Sequence, residues 1–127
     1  MKDTLKPGMS AEQTVTTTPE MGITHLGPTA PRMFSTPAMI GLMEGTCVQF
    51  LTPYMDAGEQ TVGFHIDVKH LAPTKIGQKV TAKVTLNEVK GRRLLLQVEA
   101  FNEDGTKIGD GIHERVVVSV DRFAGQG

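Results

Sequence analysis

The sequence predicts an α+β domain in which an antiparallel sheet wraps one long central helix. Three observations carry that prediction. From Met39 to Tyr54 the apolar residues recur at helical spacing. Everything after it alternates apolar and polar residues between short turn signals, the signature of hairpin-linked strands. Ahead of the helix lies a single segment rich in β-branched residues.

That first segment, Glu12 to Thr18, reads as a strand rich in Thr and Val. Pro19 to Pro31 holds three prolines and two glycines and reads as a loop or lid. Thr36 followed by Pro37 gives an N-cap and a first-turn proline. In the helix that follows, Met39, Leu42, Met43 and Phe50 share one side and Ile40, Val48 and Leu51 another, which predicts burial nearly all round. Gly41 and Gly45 weaken a helix, so their expected use is close approach of another backbone. Pro53 ends the helix, and Asp56 to Gly58 turns the chain. Val62, Phe64, Ile66 and Val68 then alternate with Gly63, His65, Asp67 and Lys69. Ala72-Pro73 and Gly77 break that run before Val80 to Leu86, and Gly91 turns into Leu94 to Ala100. After a turn at Asn102 to Gly105, Ile108 to Val120 closes the sheet, and Asp121 to Gly127 reads as a loose tail.

At 127 residues the chain fits one domain, 1–127, with no internal repeat. With 39% hydrophobic and 21% charged residues it can bury a core without staples. A net charge of −1 offers no field for gathering nucleic acid or anionic lipid. No apolar run approaches membrane-spanning length, and the polar start MKDTLKPG lacks a signal-peptide pattern, so a cytoplasmic protein is expected. The lone Cys47 forms no intrachain disulfide and reads as inert core. Seven methionines read as core filler.

Glu44 is the most informative residue. It stands on the Ile40–Val48–Leu51 side of the helix, where a carboxylate needs a partner or a function. Burial there favours the neutral form and raises the pKa unless a cation or donors compensate. Such a carboxylate can attack an acyl carbon or draw a proton from water; the structural alternative is a pair with Arg115. His70 closes an alternating strand beside a loop, where a histidine can shuttle protons, with His25, His65 and His113 as competing imidazoles. No histidine pair shows short ligand spacing, so no metal is expected. Thr36 can aim its hydroxyl at a carbonyl beside a helix N-terminus that favours an oxyanion. Thr36 and Glu44 are roughly 12 Å apart along an ideal helix. Both reach one bond only if Phe34 to Pro37 folds back or a substrate lies along the helix. Gly63 either admits a ligand to the backbone or marks a bulge. Arg115 either pairs with Glu44, meets a phosphate, or lies on the surface.

The pattern Gly41-Leu42-Met43-Glu44, Val68-Lys69-His70-Leu71-Ala72-Pro73-Thr74, Gly91-Arg92-Arg93-Leu94 and Ile108-Gly109-Asp110-Gly111 followed by His113-Glu114-Arg115 resembles the hotdog-fold acyl-CoA thioesterases. It is most similar to their fluoroacetyl-CoA thioesterase branch, from about Met33 to Phe123. The resemblance implies the hotdog fold, hydrolysis of an acyl-CoA thioester, and a catalytic set matching Thr36, Glu44 and His70. It implies substrate contacts at Gly63, Arg115 and Phe34, no cofactor beyond the coenzyme A of the substrate, and a homodimer, with dimer and tetramer both open as the final assembly. Fluoroacetyl selectivity in that branch uses lid phenylalanines. His25 to Ser35 offers only Phe34, so a general short acyl group is the expected substrate. The alternatives are an enoyl-thioester hydratase or dehydratase on the same fold, which needs an aspartate absent between Asp3 and Asp56, and a non-catalytic acyl-CoA-binding protein.

Overall fold

In the computed structural model, which describes residues 1–125, five strands form one antiparallel sheet around the long helix. Chain order is β1 (Ser10–Thr16), a 3-10 turn at Pro19–Met21, α1 (Thr36–Leu51), a 3-10 turn at Thr52–Tyr54 and β2 (Glu59–His70). β3 (Lys79–Lys90), β4 (Arg93–Asn102), β5 (Lys107–Ser119) and α2 (Val120–Ala124) follow. The strands run β1-β3-β4-β5-β2 across the sheet, so β1 and β2 are its edges. β1 begins and ends two residues earlier than the sequence suggests. Its partners on β3 run from Thr85 back to Lys79, and Thr17 already leaves the ladder to bond Gln78. Gly91 and Gly105 turn the two hairpins at φ of 59° and 89°, a region glycine enters without strain. The last residues form α2, capped by Ser119, in place of the loose tail that their polarity suggests; Gln126 and Gly127 lie outside the described residues.

The core lies between one side of α1 and the inner face of the sheet. Met39, Met43, Phe50 and Leu51 pack with Val80, Val84, Leu86, Leu94, Leu96 and Val98, all buried. Each such side chain contributes roughly 1.5–3 kcal/mol relative to exposure. The expectation of a helix buried all round is corrected here. Thr36, Pro37, Gly41, Gly45 and Gln49 are exposed, and Ile40, Glu44 and Val48 only partly covered. A β-carbon on Gly41 or Gly45 would meet nothing within 4 Å, so no backbone among the described residues makes the expected approach. No helix among the described residues is long and apolar enough to cross a membrane.

The alternation expected along β2 is interrupted. Gly63 pairs with Arg115 but His65 pairs with Glu114, so Phe64 is an extra residue, a β-bulge. The bulge exchanges the two faces of the strand. Before it Thr61 is buried; after it Ile66, Val68 and His70 are partly covered while His65, Asp67 and Lys69 are exposed. An unbroken period of two would turn His70 to the face opposite Thr61. The bulge therefore brings His70 to the helix.

Gly111 lies opposite Val68 in the β2–β5 ladder, and a β-carbon there would overlap the Asp67 carbonyl oxygen and lie 2.6 Å from Val68 Cα. Both obstacles are backbone and cannot rotate aside. Gly111→Ala is expected to cost about 3 kcal/mol or more, at the upper end of overpacking, as a drop in the denaturant midpoint.

Candidate active site

Thr36 is not the N-cap. Ser35 takes that position, in extended conformation, and its Oγ accepts from the Ala38 N–H at 3.1 Å. Pro37, second in the helix, fits where no N–H partner is needed. With capping done by Ser35, the Thr36 hydroxyl is free, and it meets His70 Nδ1 at 2.8 Å. His70 is the last residue of β2, at a strand end beside a loop as the sequence suggests. Burial holds its imidazole below the usual histidine value, so the ring stays neutral near pH 7 with one nitrogen donating and the other accepting. The other nitrogen, Nε2, is buried and has no partner among the described residues. A buried polar atom left unpaired is costly, and a position where a ligand completes it is a usual reason to keep one.

This pair opens on a cavity of about 500 Å³ lined by Ile23, Met33, Phe34, Leu71 and Pro73, with His25 at its wall. The loop predicted as a lid, Pro19 to Pro31, supplies Ile23 and His25 to that lining, and Met33 and Phe34 follow it. Isolated bridges join Gly22 to Phe34 and Met33 to Lys75, tying the pre-helix segment to itself and to the β2–β3 connection. Phe34 also belongs to the core, 3% exposed. A hollow on the outer face of the sheet, lined by Asp67, Lys69 and Asp110 among others, touches none of the candidate residues.

Glu44 departs from the burial expected of it: its side chain is 45% exposed, and Oε2 lies 3.7 Å from Arg115 Nη1. Arg115 is instead the buried member. Its Nε donates to Thr61 Oγ1 and its Nη2 to the Thr61 carbonyl, each at 2.9 Å, while Nη1 faces His113 Nε2 at 3.0 Å. Arg115 is 4% exposed, so it neither lies on the surface nor presents its guanidinium to a phosphate there. The pair with Glu44 is the arrangement observed. Gly63 sits against the same cluster; a β-carbon there would lie 2.8 Å from His113 Cε1. Among the described residues no hydrogen bond joins Glu44 to Thr36 or His70. Thr36 and His70 form one assembly at the start of α1, and Glu44 and Arg115 a second further along it, with the open face of the helix between them.

The other histidines have separate surroundings. His65 Nδ1 pairs with Glu114 at 2.8 Å on the exposed face, and His113 is buried beside Arg115. Cys47 is buried, and burial pushes its thiol up to about 12, far from a thiolate near neutral pH. His113 escaped selection from sequence because nothing local distinguishes it from the other imidazoles. Only the contact of its ring with Gly63, and its place two residues from Arg115 on the inner face of β5, set it apart.

Comparison with known proteins gives concordant results. The sequence profile of a family described as fluoroacetyl-CoA-specific thioesterase matches residues 15–121. The fluoroacetyl-CoA thioesterase of Streptantibioticus cattleyicolor is 38% identical over 130 residues, spanning 97% of this chain and 92% of that one. A solved fluoroacetyl-CoA thioesterase structure superposes with a TM-score of 0.88 at 34% identity, covering 96% of this chain and 94% of the other. A Thermus thermophilus protein described as a thioesterase superfamily member superposes at 0.87 with 29% identity, covering 95% and 89%.

Proposed function

Because this chain belongs to the fluoroacetyl-CoA-specific thioesterase family, acyl-CoA thioester hydrolases of the hotdog fold, we propose that it hydrolyses a short acyl-CoA through Glu44, His70 and Thr36. The observation that carries this reading is the Thr36–His70 hydrogen bond in the lining of a largely apolar cavity, with His70 Nε2 buried and without a partner among the described residues.

The acyl group enters the cavity between lid and strand end, and the thioester lies along the open face of α1 towards Glu44. The solvent-reached carboxylate of Glu44 takes a proton from water, and the oxygen of that water forms a bond to the acyl carbon. The alternative, direct attack by the carboxylate, gives an acyl-enzyme that water then cleaves. Negative charge gathers on the carbonyl oxygen, where the Gly63 N–H and the start of α1 supply positive dipoles. Thr36 donates to Nδ1 and so selects the His70 tautomer that carries its proton on Nε2. That proton goes to sulfur as the carbon–sulfur bond breaks, and the proton Glu44 took from water returns through solvent to the ring, so carboxylic acid and free coenzyme A leave and both side chains regain their starting forms. Coenzyme A enters as part of the substrate, and no other cofactor takes part. Arg115 holds Glu44 rather than the substrate.

The small acyl group follows from the lid, where Phe34 is the sole aromatic residue between His25 and Ser35. The sheet edge supports a homodimer. β2 is an edge with Gly63, Phe64, His65, Asp67 and Lys69 exposed, and pairing with a second copy would cover its free backbone groups. The test is free-thiol release across saturated acyl-CoA substrates of increasing length. Turnover confined to the shorter chains is expected. Hydration of an enoyl-CoA without thiol release, or stoichiometric binding without turnover, would replace this function with a hydratase or a binding protein.

A further inference from the structure

We propose that His113 is a positioning residue for Glu44: its neutral imidazole accepts from Arg115 and fixes the guanidinium nitrogen that faces the carboxylate. The inference rests on the thioesterase reading above and assigns a role to a side chain outside the Thr36, Glu44 and His70 set.

The hydrogen bonds permit one protonation state. Arginine only donates, so the 3.0 Å contact between Arg115 Nη1 and His113 Nε2 requires Nε2 to be the acceptor. Nδ1 lies 3.1 Å from the His65 carbonyl, which only accepts, so Nδ1 carries the proton. A neutral ring protonated on Nδ1 satisfies both contacts, and a protonated ring breaks the first.

The cluster is built to hold that ring in place. His113, Arg115 and Thr61 are 2%, 4% and 3% exposed. Both remaining sides of the guanidinium are tied to Thr61, so Nη1 alone reaches outward, to His113 and to Glu44 Oε2 at 3.7 Å. Gly63 provides the seat: a β-carbon there would lie 2.8 Å from His113 Cε1 and 3.2 Å from Arg115 Nη1. The nitrogen that receives the imidazole is thus the one that meets the carboxylate, and displacement of the ring passes directly to Glu44. Misplacing a reacting group by about 1 Å costs on the order of 10²-fold in rate.

The charged and titratable groups around His113 are Arg115 on β5, His65 on β2 and Glu44 on α1. Burial first, and then the charge of Arg115, hold the imidazole below the usual histidine value, so the contact persists through neutral pH.

Two amide side chains separate the halves of the ring. His113→Gln reaches as far as Nε2 and keeps an acceptor for Arg115. His113→Asn reaches only as far as Nδ1 and keeps the donor to His65. Thiol release by wild type, His113→Gln, His113→Asn, His113→Leu and Glu44→Ala is compared after each variant is shown to unfold cooperatively. His113→Asn and His113→Leu are expected to lose roughly 10- to 100-fold in kcat with little change in KM. His113→Gln is expected to regain most of that loss. A folded His113→Asn that matches His113→Gln in kcat, while Glu44→Ala has lost activity, overturns the positioning role. If Glu44→Ala itself keeps wild-type turnover, the thioesterase site fails instead.

Discussion

Replacing Glu44 with alanine is expected to lower kcat for thiol release by about 10²- to 10⁴-fold, the range for removal of a well-placed base. The fold should survive the change. The side chain is 45% exposed, and the guanidinium it leaves behind keeps its bonds to Thr61 and His113. Loss of rate with an unchanged melting temperature is therefore the signature, and it separates chemistry from unfolding. Combining Glu44→Ala with a second change in the set should cost little more, because residues that act as a unit lose their effect together.

His70→Ala should cost about 10²- to 10⁴-fold by removing the proton donor to the leaving sulfur. Thr36→Ala should cost less, since it leaves the imidazole present but free to change tautomer, and Thr36→Ser should restore most of the rate. The acid limb of the wild-type pH profile should lie below 6.5, because burial depresses the His70 value and the neutral ring is the working form. Stability follows the same direction. His70 and His113 are both depressed in the fold, so the unfolded chain binds protons that the folded one refuses. Folding stability should be full above 6.5 and decline as the pH drops from there towards the depressed values, measurable as a falling denaturant midpoint.

The sheet and the helix were legible because each rests on a local period, 3.6 along α1 and two along β3 and β4. The set Thr36, Glu44 and His70 came from the resemblance to the thioesterase family, not from composition or spacing. What escaped depends on partners distant in sequence. Ser35 and Thr36 are adjacent hydroxyls, either able to cap a helix; His70, 34 positions away, takes Thr36 and leaves the cap to Ser35. Gly63 hinted at a bulge, which adds Phe64 as the extra residue, but nothing in composition shows that it decides which face of β2 carries His70. Glu44 looked buried because the apolar residues around it continue round the helix, whereas the single chain leaves that side partly open. Arg115 looked exposed because arginine usually is. Its burial depends on acceptors from Thr61 and His113 that no single stretch of sequence contains.

The most direct test is thiol release from a short acyl-CoA by wild type and by Glu44→Gln, which keeps the shape of the side chain and removes its charge. The account predicts catalytic turnover with one acid formed per thiol for wild type, and a folded Glu44→Gln slower by about 10²- to 10⁴-fold. Equal turnover by the two proteins would contradict it.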